Sequence, residues 1–152
     1  MIMRRLTAHP ALLPGLTLVL AAFVLVSGLL RGLEVLDVLI VLAILAYTVF
    51  TGIALAVRSG PAAGAEQHVA AGGAAVYWRP GCVYCLKLMW ALRSRLGDAY
   101  WVNIWEDDDG AATVRAVNGG NETVPTLVGP DGAFVATDRA AAVAEIDRRT
   151  RA

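Results

Sequence analysis

Cys82 and Cys85 are the only cysteines in a chain of 152 residues. They stand in the run Val76-Tyr77-Trp78-Arg79-Pro80-Gly81-Cys82-Val83-Tyr84-Cys85. A bridge between them would close too small a loop to staple distant segments, so the pair calls for a chemical reading. The residues before it are β-prone, Pro80-Gly81 is a turn signal, and the residues after it have helical spacing. That places Cys82 at the cap or first turn of a helix. There the unpaired N–H groups and the helix dipole favour an anion. Thiolate is the reactive form of cysteine, and such positions lower its pKa from about 8.5 to about 3.5–7.5. Arg79 adds positive field. Cys85 lies less than one helical turn further on, within reach of the first sulfur. Cys82 therefore reads as the nucleophile that attacks a disulfide and holds the mixed disulfide, and Cys85 as the thiol that expels the partner.

Other readings of the pair are poorer. Zinc would need four ligands, and beyond the two cysteines the nearest candidate is a distant His68. Haem attachment would need histidine where Leu86 stands. No metal is expected, and a buried inert pair is the bland alternative.

A second constellation is Asn118-Gly119-Gly120-Asn121-Glu122-Thr123-Val124-Pro125-Thr126. Val124-Pro125 opens a β-prone run about 40 residues after Cys85. A proline in such a turn can be cis, leaving the preceding backbone N–H and C=O to pair with an extended thiol substrate as an added strand.

The elements that must hold these residues alternate. Residues 74–78 (AAVYW) read as a strand and residues 83–96 as a helix with Leu86, Met89, Trp90 and Leu96 on one stripe. Tyr100 to Ile104 read as a strand. Glu106 to Asp109 precede a short helix over 111–117, where acids suit the first turn better than they suggest a metal site. Thr126 to Val128 and Ala133 to Ala136 flank the turn Gly129-Pro130-Asp131-Gly132. A last helix over 138–148 is capped by Thr137 or Asp138. The order is β-α-β-α-β-β-α, an α/β fold whose first two strands are parallel and whose last two form an antiparallel hairpin.

The first 58 residues are different. Ala11 to Leu30 and Val38 to Val57 are uncharged runs of 20 residues each. Each is long enough as a helix to cross the roughly 30 Å core of a bilayer. Overall the chain is 57% hydrophobic, with a mean hydropathy of +0.59. A fully soluble single-domain enzyme is excluded, and a cleaved signal peptide would have a shorter apolar run with no second span. Residues 1–58 are expected to be a membrane anchor of two helices, about 11–30 and 38–57. Gly28 and Gly32 are spaced for a helix contact, although Gly32 falls in the connector. Arg4, Arg5 and Arg58 flank the outer ends and Arg31 the connector, which predicts both termini in the cytoplasm of a multi-pass plasma-membrane protein. Residues 59–73 (SGPAAGAEQHVAAGG) read as a flexible linker with a solvated His68. Residues 74–152 form the remaining domain. Formal charge is balanced, 13 basic against 13 acidic residues. No basic stripe points to nucleic acid.

The strings VYWRPGC-x-x-C and NGGNETVPTL resemble those of glutaredoxin-type proteins of the thioredoxin fold, and more narrowly the mycoredoxins of actinobacteria. The resemblance covers about half the chain, and Val83-Tyr84 stands where many glutaredoxins have Pro-Tyr. It implies that Cys82 takes mycothiol from a protein mixed disulfide, with Cys85 in the resolving position. It also implies thiol or substrate contacts at Arg79, Tyr84, Thr123, Val124, Pro125, Thr137 and Asp138, with Pro125 as the cis proline. Thr137 and Asp138 fall near the helix start where glutaredoxins hold the γ-glutamyl end of glutathione. Trp78 is expected to flank the substrate groove. No bound cofactor is implied; mycothiol or a similar thiol is the co-substrate. Protein disulfides or mixed disulfides are the partners, membrane proteins among them. The function so implied is a membrane-anchored thiol–disulfide oxidoreductase. The alternatives are a dithiol reductase fed by thioredoxin reductase, an outward-facing disulfide-exchange protein and a docking adaptor.

Overall fold

Glycine at 32 lets the chain reverse between two apolar helices, α1 (Leu12–Arg31) and α2 (Val35–Gly52), because its φ of +98° suits no other residue well. The computed structural model describes residues 9–151; Arg4 and Arg5, two of the basic residues in the orientation argument, lie outside the described residues, as does Ala152. α2 starts three residues earlier than its uncharged run. Glu34 and Asp37 form a capping box that satisfies orphan N–H groups at the helix start. Arg31 lies 3.8 Å from Asp37, which further ties the turn. The hydroxyls of Thr17 and Thr48 join the two helices at 2.8 Å. Both helices are long and apolar enough to cross a membrane, and leucines such as Leu16, Leu20, Leu29 and Leu42 stay exposed on them.

α2 leads through a short 3-10 turn (Ile53–Ala56) into the α/β part without slack. Ala54 and Val57 are buried in its core, with Phe50 and Ile53 packed against them. The linker reading of 59–73 does not hold. Ala62–Ala70 forms a helix, α3, which rests on the first two strands. Ala62 and Ala65 are buried; the Trp78 indole N–H donates to Ser59 Oγ at 2.9 Å and the Gly60 N–H to the Trp101 carbonyl at 2.9 Å. The small residues that suggest flexibility serve close packing instead. A Cβ on Gly60 or Gly64 would fall 2.0 or 2.2 Å from the Tyr100 hydroxyl. His68 is not solvated either: its Nε2 is buried, and a Cβ on Gly73 would meet it at 2.2 Å.

The remaining elements follow the expected order. They are β1 (Ala75–Trp78), α4 (Val83–Ala91), β2 (Tyr100–Asn103), α5 (Asp108–Val117), β3 (Thr126–Gly129), β4 (Gly132–Val135) and α6 (Arg139–Thr150). The sheet order is β2-β1-β3-β4, with β1 parallel to β2, antiparallel to β3, and β3 antiparallel to β4. All four residues of β1 are buried, as an apolar central strand covered on both faces must be. Trp78 belongs to this core and so does not flank a groove.

Two helix bounds differ from expectation. α4 stops at Ala91 rather than at Leu96; the chain then turns, with Arg95 N donating to Leu92 O at 2.8 Å, and the Arg95 side chain pairs with Asp147 on α6 and with Asp98. α5 starts at Asp108 rather than Ala111. Asp107 caps it by accepting from Gly110 N at 2.6 Å, and its other oxygen accepts from Ala62 N of α3 at 3.0 Å.

Candidate active site

Pro80 and Gly81 turn the chain out of β1, with Gly81 at φ +78°. Cys82 then takes an extended conformation (φ −77°, ψ 108°), which makes it the N-cap of α4. Its sulfur does what a capping serine oxygen would do: it accepts the Cys85 backbone N–H at 3.2 Å. Cys82 is partly exposed and Cys85 fully buried; both are free thiols.

This geometry separates the two acidities. Hydrogen bonding from the Cys85 thiol is the largest influence on Cys82, and burial opposes it. The Cys85 backbone N–H, the Arg79 charge and the Tyr84 backbone N–H also favour the anion, and the Cys82 thiol falls from the usual 9.0 to about 7. Burial first, then the hydrogen bond and charge of Cys82, push Cys85 well up. At neutral pH the site therefore holds an accessible, half-ionised sulfur above a protonated buried one.

The Val124-Pro125 peptide is cis. Val124 is buried, and its carbonyl lies 3.4 Å from Cys82 Sγ, within reach of the S–H when the thiol is protonated. The loop carrying it is fixed by Asn118, whose Nδ2 donates to Thr123 O at 3.2 Å and to Thr126 Oγ1 at 2.8 Å. Thr126 Oγ1 in turn donates to Thr123 O at 2.7 Å. Pro125 O accepts from Ala136 N at 2.7 Å, which joins this loop to the end of β4. Of the two expected caps of α6, Asp138 is the one used, accepting from Ala140 N at 2.8 Å and Ala141 N at 3.3 Å. Thr137 precedes it.

Arg79 stacks over the Trp105 ring, 5.9 Å from its centroid. Tyr84 is exposed with Lys87 over its ring at 5.8 Å, and Val83 beside it is also exposed. The structure thus joins Arg79, Cys82, Cys85, Thr123, Val124 and Pro125 through direct contacts or shared loops. Two residues missed by sequence reasoning now take part. Trp105 steadies Arg79, and Asn118 holds the proline loop. Asn118 sits inside the quoted motif, yet nothing in its spacing reveals that its amide reaches Thr126.

Residues 74–135, which hold the capping cysteine and the Val124-Pro125 loop, match the family model named Glutaredoxin. That stretch is a glutaredoxin domain. Glutaredoxins act with thiols and disulfide substrates, and the match supports thiol–disulfide oxidoreductase chemistry for this stretch. The match begins one residue before β1 and ends with β4, so the apolar hairpin, α3 and α6 lie outside it. The comparisons with curated proteins and with solved structures returned no match.

Proposed function

We propose that the protein is a membrane-anchored oxidoreductase that reduces disulfides, or mycothiol–protein mixed disulfides, through Cys82 and Cys85. The Cys85 N–H on Cys82 Sγ at 3.2 Å carries this reading, because it stabilises the attacking anion before any substrate arrives. The Cys82 thiolate attacks one sulfur of the substrate disulfide. One S–S bond forms as another breaks, and the released protein thiolate takes a proton from solvent. Cys82 then carries mycothiol. A second mycothiol can attack that sulfur, giving mycothiol disulfide and free Cys82. Alternatively Cys85 loses its proton, attacks Cys82 Sγ and expels the thiol, leaving a Cys82–Cys85 disulfide that two further low-molecular-weight thiols reduce. Either way the two electrons come from the small thiol.

Arg79, Tyr84, Thr123, Val124, Pro125, Thr137 and Asp138 are the proposed thiol-binding surface. The two apolar helices with their uncovered leucines support the anchor, and the greater count of arginine at the outer ends supports a cytoplasmic domain. Membrane proteins are the natural substrates of a domain held there. The test compares mycothiol, glutathione, and thioredoxin reductase with NADPH as donors to the purified full chain. Fastest turnover with mycothiol is expected; turnover with the reductase alone would overturn the mycothiol assignment. An impermeant thiol reagent on intact cells should leave Cys82 unlabelled, and labelling would reverse the orientation.

A further inference from the structure

The glutaredoxin domain does not hang from the hairpin on a loose chain. The Trp90 indole N–H, on α4, donates to the Phe50 carbonyl in α2 at 2.8 Å. Ala54 and Val57 are buried in the domain core, and Gly60 is already hydrogen bonded to Trp101 on β2. Only Arg58 and Ser59 lie between the core residue Val57 and that bond. The start of the other helix lies opposite the domain as well. Leu12, Leu13 and Leu16 of α1 face Pro80, Gly81 and Trp105 across a cavity of about 180 Å3. The turn that delivers Cys82 therefore faces the same end of the hairpin that α2 leaves. Each Cα–Cα step is about 3.8 Å, so Cys82 lies on the order of 10 Å from the first turn of α1.

From these contacts we infer that the substrate is a cysteine in an extended segment of another membrane protein, presented right at the bilayer surface. The inference rests on the membrane-anchored redox reading above. Docking of the end of α2, with the start of α1 across a small cavity from the active-site turn, keeps Cys82 near the base of the hairpin, unlike a domain on a loose tether. An extended chain gains about 3.3 Å per residue, so a cysteine about three residues beyond the end of its own span reaches Cys82, and a longer tether dilutes it. The exposed Val83 and Tyr84 suit that depth, since tyrosine favours the interface, where one end of its ring is apolar and the other wet. The chemistry is one exchange: Cys82 thiolate attacks the segment's disulfide sulfur and its former partner leaves as thiolate.

The test uses the pre-reduced full chain in liposomes with synthetic membrane-spanning peptides. Each peptide carries one cysteine as its mixed disulfide with thionitrobenzoate, placed 3, 8 or 15 residues beyond the span. A water-soluble peptide carries the same group. Release of the coloured thiolate in a single turnover needs no donor. The rate should fall at least about tenfold from the nearest to the farthest position. Equal rates along the series, with the soluble peptide also reacting, would overturn this inference and leave the redox reading standing. No release from any peptide would overturn the redox reading itself. A twelve-residue Gly-Ser insertion after Arg58, combined with Trp90→Phe, should flatten the series without slowing the soluble peptide. A series unchanged in that variant would overturn the role given to the docked base.

Discussion

The sulfur of Cys82 and the carbonyl oxygen of Val124 stand 3.4 Å apart, although 42 residues separate them in the chain. On its other side the same sulfur accepts the Cys85 N–H at 3.2 Å. The protonated thiol therefore has an acceptor and the anion has a donor. A substrate that enters between α4 and the proline loop meets a nucleophile that both states keep in place.

The nucleophile and the resolving thiol should separate cleanly. Cys82→Ser is expected to lower the reduction of a mycothiol–protein mixed disulfide by on the order of 1000-fold or more, because a hydroxyl replaces the only accessible thiolate. Cys85→Ser should keep a measurable share of that activity, since external thiol can resolve the intermediate. Release of protein thiol by each variant measures this, and a fully active Cys82→Ser would remove the mechanism.

Alkylation by iodoacetamide should rise with pH through a midpoint near 7, the value to which Cys82 is lowered. At pH 7 about half the sulfur is then ionised, against a few per cent for an unperturbed cysteine. Removing anything that favours the anion raises the midpoint and slows alkylation at neutral pH. Cys85→Ala should move it upward more than Arg79→Ala, because the Cys85 hydrogen bond is the larger influence. The reverse order would disprove this account of the acidity.

Asn118→Ala removes the amide that donates to Thr123 O and Thr126 Oγ1. Thr126 keeps its own bond to Thr123 O, so the loss should be about 1 kcal/mol, a Tm fall of roughly 4–8 °C for a domain of this size. The loosened proline loop should also raise KM for the mixed disulfide more than it lowers kcat. Calorimetry with steady-state kinetics tests both, and an unchanged KM would contradict the positioning role.

Fragments 59–152 and 73–152 should differ in stability. The shorter one lacks α3 and three hydrogen bonds, Trp78 to Ser59, Gly60 to Trp101 and Ala62 to Asp107. At about 1 kcal/mol each, their loss should lower Tm by roughly 10 °C or more. Equal thermal unfolding curves would mean that α3 contributes nothing to the fold.

Much of the architecture is readable from short-range pattern. Apolar residues around a Pro-Gly turn and CxxC mark strand, turn and helix, and Gly129 to Gly132 marks a hairpin turn. Two uncharged runs mark the apolar helices. These signals depend on backbone preference and periodicity, which a residue carries with it. The stretch 59–73 escapes such reading because its alanines and glycines acquire meaning only from a partner. Gly60 and Gly64 admit the Tyr100 hydroxyl, some 40 residues away in the chain, and no local pattern announces that. Likewise the pairing of Arg95 with Asp147 on another helix is not visible in the local pattern. The amino-acid order alone thus names the reactive sulfur and its neighbour. Packing decides that Val124 faces that sulfur, that Trp78 is core, and that the active-site turn faces the base of the hairpin. Those relations depend on distances between segments remote in the chain, which only the folded arrangement creates.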